Sequence, residues 1–182
     1  MSKIGFIGCG NMAKAMLGGI LKNEICAKED VIATAKSEAS RENARNTYGI
    51  QVTADNIEAA KSADVLVLAS PVYFYGISAQ LKAIIDRLHT PMRDSFRIRR
   101  TAFLLVGAAS LPELFDAILT EYNLACRFFH LEHAGQVLVR GVKEKGDVRA
   151  GDALQQAYDL GASIAEPALN LAKARRLCYT KK

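Results

Sequence analysis

The segment "GFIGCGNMA", Gly5–Ala13, decides the reading of this chain. A short apolar run, Lys3–Ile7, ends in glycine, and a helical pattern opens at Asn11, with Met12, Met16, Ile20 and Leu21 on one face. Between strand and helix, Gly8, Gly10 and Ala13 stand in GxGxxG/A spacing, the strand–turn–helix context in which that spacing carries meaning. The first glycine permits a tight turn, the second lets a pyrophosphate approach the backbone, and Ala13 keeps the helix close to the sheet. The N–H groups near Asn11 and Met12 then face phosphate, aided by the helix dipole.

Outward from this segment, strands and helices alternate. Val31–Ala35 is a strand, Ser37–Tyr48 a polar helix with Gly49 as its cap, Gln51–Thr53 a very short strand and Asn56–Ser62 a short helix. Val65–Ala69 is a continuous apolar run, as in a strand buried on both faces. Ser78–Leu88 reads as a helix, Thr101–Val106 as a strand and Pro112–Tyr122 as a helix. Gln136–Val142 is the last strand, preceded by an extended stretch from Phe128; Asp152–Ala165 is the closing helix, continued in a tail over Glu166–Cys178. This alternation predicts a single α/β domain: a three-layer, doubly wound parallel sheet in the Rossmann-like order 3-2-1-4-5-6.

The bulk composition fits one globular domain of 182 residues, half of them hydrophobic and 24% charged. A net charge of +5 favours anionic small molecules but falls short of a nucleic-acid signature. No run approaches the roughly 18 apolar residues of a membrane span, and no signal peptide is evident, so a cytoplasmic protein without membrane or nucleic-acid partners is expected. Cys9, Cys26, Cys126 and Cys178 show no CxxC spacing, which argues for structural thiols and against a metal site. His89, His130 and His133 form no evident constellation, and Arg93, Arg97, Arg99 and Arg100 read as a solvated edge with a secondary role in steering phosphates.

The second strand ends in "ATAKSEAS", where an acid for a ribose 2′-hydroxyl would be usual. Lys36 and Ser37 stand there instead, a cation and a hydroxyl suited to a 2′-phosphate, so NADP(H) is expected over NAD(H). Arg41 and Arg45 either join them or form a solvated helix face.

Met1–Ala69 resembles the nucleotide-binding domain of pyrroline-5-carboxylate reductase, on "KIGFIGCGNMAKAMLGGIL", "TADNIEAAKSADVLVLA" and the spacing between them. The resemblance implies pyrophosphate at Gly8–Ala13, a 2′-phosphate at Lys36 and Ser37, the adenosine ribose by Asn56, and nicotinamide near the turn after Ala69. That turn departs from the family, reading Ser70-Pro71-Val72-Tyr73, and the family's helical C-terminal domain has no counterpart here. Pyrroline-5-carboxylate reduction is therefore not expected.

From Ser70 the likeness changes. "SPVYFYGISAQLKAIIDR" (Ser70–Arg87), "TAFLLVGAAS" (Thr101–Ser110) and Gly135–Ile164 resemble the flavodoxin-like NAD(P)H-dependent FMN reductases. This resemblance implies that Pro71–Gly76 cradles an isoalloxazine ring and that Gly107–Ser110 borders its other side. Tyr73, Phe74 and Tyr75 either serve that ring or pack at a strand end. The corresponding phosphate loop, "GCGNMAK", lacks hydroxyls and suits a pyrophosphate diester better than the FMN monoester.

The two folds superpose at the strand beside the first, so a crossover at Ala69–Ser70 joins equivalent strands. The chain thus reads as a chimera, and a join inside one domain favours recombination by design. The leading expectation is a domain that binds NADP(H) with little or no catalysis. The alternatives are an FMN-binding oxidoreductase and a folded chimera without ligand, in either case a monomer or weak homo-oligomer.

Overall fold

In the computed structural model, residues 3–91 and 93–164 are described; the expected tail over Glu166–Cys178 lies outside them. The elements run β1 (Ile4–Ile7), α1 (Asn11–Lys22), β2 (Val31–Thr34), α2 (Glu38–Tyr48), β3 (Gln51–Thr53), α3 (Asn56–Ser62), β4 (Val65–Pro71), α4 (Ala79–Leu88), β5 (Arg100–Val106), α5 (Asp116–Phe128), β6 (Glu132–Val139) and α6 (Ala153–Ser163). All six strands are parallel, in the order β3-β2-β1-β4-β5-β6. The fold is the expected doubly wound α/β sheet.

Alternation along the strands builds two cores. Ile4, Phe6, Val65, Val67 and Leu104 face one layer with α1 and α6. Ile7, Leu66, Leu68, Phe103 and Leu105 face the other, with α3, α4 and α5. Local caps set several boundaries. The Ser37 hydroxyl accepts from Ser40 N–H at the start of α2, and Gly49 ends that helix at φ 65°. Asp55 and Ser78 cap α3 and α4 in the same manner as Ser37.

Two elements differ from expectation. α5 begins at Asp116, because Leu111–Phe115 forms successive i→i+3 turns that bury Leu114 and Phe115. The helix then continues to Phe128, because its buried stripe Ile118–Tyr122–Cys126 extends one turn beyond Tyr122. β6 starts at Glu132, since pairing resumes at Arg100↔Glu132 and a bulge opposite Thr101/Ala102 absorbs an extra residue beside Gly135. The last strand therefore ends at Val139, and Phe128 is helical.

The closest inter-element packing joins α1 to α6. A Cβ on Gly19 would lie 2.0 Å from the Tyr158 carbonyl oxygen, and one on Gly161 would lie 2.2 Å from that of Met16. Each helix thus supplies a bare backbone for the other to rest on. At the opposite layer, the buried Tyr122 hydroxyl lies 2.6 Å from Thr101 Oγ1 and 3.1 Å from His133 Nδ1, and it donates to the Thr101 carbonyl. Burial pushes the Tyr122 hydroxyl well above its usual range and holds His133 below its ordinary value.

Two outcomes follow for stability. Gly19→Ala should cost about 3 kcal/mol or more in denaturant titration, because backbone must move. Gly18→Ala, whose Cβ meets only the Tyr158 ring at 3.8 Å, should instead gain about 0.5–1 kcal/mol from helix propensity. For His133, the depressed folded pKa means the unfolded chain takes the proton first. Stability from this group is held above 6.5 and lost as pH falls from there through the folded value. Unfolding followed between neutral pH and about 5 should show that loss, and His133→Gln should flatten it.

Candidate functional site

The order of the strands reverses between β1 and β4, and a cleft of about 640 Å³ opens there at their C-terminal ends. The β1–α1 turn forms one wall. Gly8 sits at φ 97°, where a Cβ would be 3.1 Å from the Ala69 carbonyl, and its N–H donates to Thr34 Oγ1 at 3.1 Å. Gly10 begins α1 without a side-chain cap, and a Cβ built on it would meet nothing within 4 Å. Met12 and Ala13 turn their side chains into the core, so they can offer a ligand only backbone; the first N–H groups of a helix have no intrahelical acceptor. Asn11 is exposed at the helix start.

Of the residues singled out from sequence, Gly8, Lys36, Asn56 and Ala69 line this one cleft. Thr34, Ser40 and Gln80 line it too and escaped the sequence reading. Thr34 was findable as the last residue of the strand beside β1. Ser40 lies one turn beyond Ser37, and Gln80 belongs to the first turn of α4, the face that strand order turns toward the cleft.

The charges around Lys36 are sorted by hydrogen bonds. Arg41 folds back to donate to the carbonyls of Ala35 and Lys36, at 2.8 and 2.7 Å, and pairs with Glu38. Arg45 donates to Glu38 at 3.0 Å and to the Val52 carbonyl at 3.1 Å. These two guanidinium groups hold the exposed Glu38 carboxylate below its usual range. Arg41 and Arg45 therefore brace the β2–α2 turn rather than reach for a ligand, and Lys36 is exposed and makes no ion pair among the described residues. The Ser37 hydroxyl is committed to the helix cap, accepting from Ser40 N–H and donating to Ser40 Oγ at 2.8 Å.

The loop after β4 stands apart from the cleft lining. Ser70 is buried; its hydroxyl donates to the Pro71 carbonyl and accepts from Ser78 N–H at 3.0 Å, closing the base of the loop. Val72 N–H is bound to the Val106 carbonyl. Tyr73 and Gly76 then pair across a two-residue turn whose central residues, Phe74 and Tyr75, both have positive φ (47° and 65°). Such a turn normally takes Asn-Gly, so two aromatics there are strained. Tyr73, Phe74 and Tyr75 are 63, 97 and 50% exposed, which excludes packing at the strand end. Gly107 is buried between Leu114 and Val72, its N–H bound to the Val139 carbonyl, and so is a packing position. Pro71, Val72, Tyr73 and Gly107 thus lie outside the cleft lining, as do Gly10, Asn11, Met12, Ala13, Ser37 and Ser70.

Titratable chemistry in the cleft is sparse. Cys9 lines it, but burial pushes the thiol above its ordinary range, against the smaller pull of Lys14. Among the described residues no group of His, Cys, Asp and Glu is placed to hold a metal, and Cys9, Cys26 and Cys126 are free. No helix of the described residues is long and apolar enough to cross a membrane.

This is a doubly wound α/β domain with a glycine-turn cleft at its switch point. Residues 3–89 match the protein family described as NADP oxidoreductase, coenzyme F420-dependent. The chain is 43% identical over 122 residues to a pyrroline-5-carboxylate reductase of Vibrio alginolyticus, covering 67% of this chain and 41% of that protein. It is 54% identical over 39 residues to an iron–sulfur flavoprotein of Methanocaldococcus jannaschii, 21% of this chain and 20% of that one. The chain thus spans well under half of the curated relatives it matches. Among solved structures, it shares its fold with the Trp repressor binding protein from Bacillus subtilis (TM-score 0.60, 21% identity, 87% of this chain and 98% of that one). It shares it also with a flavodoxin, WrbA-like protein from Agrobacterium tumefaciens (TM-score 0.58, 18% identity, 96% and 99%).

The reductase likeness is not confined to the first 69 residues. The family match runs to residue 89, and any match of 122 residues within 182 must include Ala69 and Ser70.

The two motif glycines should separate by stability alone. Gly8→Ala should cost about 2 kcal/mol or more, from its positive φ and the crowding against Ala69. Gly10→Ala should cost only about 0.5–1 kcal/mol, the loss of a preferred capping residue. Thermal midpoints of the two variants check this.

Proposed function

We propose that the chain binds one dinucleotide, NADP(H) ahead of NAD(H), in the cleft at the switch point, and performs little or no chemistry of its own. The observation that carries this reading is the cleft at the switch point, where Gly8 of the glycine turn, beside the start of α1, meets Lys36, Asn56 and Ala69. Gly8, Gly10 and the backbone of Asn11, Met12 and Ala13 would hold the pyrophosphate. Lys36, left unneutralised while Arg41 and Arg45 are tied to Glu38, would hold the 2′-phosphate. Ser40 joins it from the cleft wall, in place of the capped Ser37, and Asn56 stands by the ribose. A bound dinucleotide supplies a hydride donor or acceptor. The cleft supplies no acid–base pair to go with it, since its titratable side chains are Cys9, held protonated by burial, and Lys36.

A second reading, FMN binding, is favoured by the strained and exposed Phe74–Tyr75 turn, because strain of this kind collects at ligand clamps. Its phosphate would compete for the same β1–α1 turn, so one chain would hold one cofactor or the other.

The proposal includes a composite origin, with a dinucleotide-binding part continued by a flavodoxin-like part and recombined by design. The iron–sulfur flavoprotein match beside the reductase match supports it. The reductase likeness reaches at least to Tyr122 in α5, so it argues against a join at Ala69–Ser70. A genome-encoded chain of this length with both parts would overturn the designed origin.

Calorimetric titration of stripped protein with NADPH, NADH and FMN in parallel tests the binding. NADPH should bind about tenfold or more tightly than NADH, Lys36→Gln should abolish that preference, and Gly10→Asp should abolish both. Binding of FMN alone replaces this reading with the second. Silence from all three overturns both.

A further inference from the structure

We propose a second ligand site at the opposite edge of the sheet: a cavity bounded by His89, Arg93, Arg99, Phe128 and His130 that takes a small aromatic phosphate, its phosphate on the two arginines and its ring against Phe128 and His89. The site is independent of the dinucleotide reading.

The cavity measures about 530 Å³. It lies where α4 and α5 end and β5 and β6 begin, so it is at the strands' N-terminal edge, away from the Gly8 cleft. Parallel topology alone brings these segments together. His89 and Phe128 close α4 and α5, and Arg99 and His130 lie shortly before β5 and β6.

Arg93 is set in place before any ligand arrives. Its guanidinium lies 5.2 Å from the Phe129 ring centre and 5.8 Å from that of Phe96, and it donates to the Phe129 carbonyl at 3.2 Å. Arg99 is held by donating to the carbonyls of Phe96 and Ile98, both at 3.1 Å. Two fixed guanidinium groups therefore share one cavity, with a single exposed carboxylate, Asp94, beside them. Burial, and then the charge of Arg99, lower the affinity of Arg93 for its proton; Asp94 only partly offsets this. The helix ends do not consume this charge, because Arg87 and Arg127 already stand in the last turns of α4 and α5. A dianionic phosphate answers two neighbouring guanidinium groups.

The aromatic side is equally specific. Phe128 is 63% exposed, and His89 meets it edge-on at 5.2 Å. His130 occupies the left-handed position that ends α5, at φ 54°, with Leu131 N–H bound to the Cys126 carbonyl and His130 N–H to that of Arg127. Glycine is the low-cost residue at that position of a Schellman turn. An imidazole there puts a hydrogen-bonding ring on the cavity wall at the expense of backbone strain.

The chain's three histidines make the test direct. Phenyl phosphate is titrated into the full-length protein while the histidine ring signals are followed by NMR, with inorganic phosphate and phenol as separate titrants. The expected result is saturable movement of the His89 and His130 signals by phenyl phosphate, with Kd of about 0.1–1 mM, and weaker binding of each half. Phe128→Ala, a change at an exposed side chain, should weaken phenyl phosphate about tenfold and leave inorganic phosphate unchanged. Arg99→Gln should weaken both phosphates. Gly10→Asp should change neither. Absence of saturable movement overturns the site. Equal binding of phenyl phosphate and phosphate, indifferent to Phe128→Ala, overturns it as an aromatic site. Loss in Gly10→Asp places the probe in the Gly8 cleft and overturns it as well.

Discussion

The crossing of α1 over α6 is the contact on which the rest of the molecule depends. At Gly19 and Gly161 the two helices meet backbone to backbone, each glycine lying where the other helix's carbonyl leaves no room for a methyl group. Close approach on this scale lets Met16, Leu17 and Ile20 on α1 bury fully against Ala157, Gly161 and Ile164. It also fixes the direction of α1, and α1 carries the turn that forms one wall of the cleft. The first and last helices of the described chain therefore set the geometry of a site to which α6 adds no residue.

The two glycines of the opening motif meet different structural demands. Gly8 is needed by the fold, since its backbone conformation and its nearness to Ala69 would forbid a side chain with or without a ligand. Gly10 carries no such demand; its lack of a side chain matters only if something occupies the space before it. The same division appears among the cations of the β2–α2 turn. Arg41 and Arg45 spend their donors on carbonyls and on Glu38, so they stiffen the turn and cancel local charge. What remains is one exposed lysine on a braced backbone.

Local chemistry explains which parts of this were legible in sequence. The spans of α1, β3 and α3 agree with expectation because each is bounded by its own turn or capping residue. The α5 boundary slipped because Pro112 resembles a helix start, while burial of Leu114 and Phe115 pulls that segment into turns. The β6 boundary slipped because Gly135 resembles a strand end, whereas here it sits within the strand beside a bulge. Site residues divide along the same line. Gly8, Lys36, Asn56 and Ala69 come from motifs and meet in one cleft, while Gly10, Asn11, Met12, Ala13 and Ser37 of the same motifs do not line it. The roles of Ser70 and Gly107 depend on partners eight and seven residues away in sequence, Ser78 and Leu114, and a motif says nothing of those. His89 and His130 are 41 positions apart and become neighbours only once the strand order is known.

The sheet sets an exacting constraint at β4. This strand pairs with β1 and β5 at once, Val65–Leu68 lying beside Ile4–Ile7 on one side and Arg100–Phe103 on the other. A slip of one residue would send Leu66 and Leu68 to the wrong core and Val65 and Val67 to the other. Any join within or after β4 must keep that parity, and one that does so leaves no mark on the sheet. The α1–α6 crossing is a different matter. Parity does not protect it, because helices that pack backbone to backbone must be matched in register and in the placing of their smallest residues. Gly19 and Gly161 stand in the first and last helices of the described chain. Their reciprocal fit means that the two helices are matched to each other at this contact.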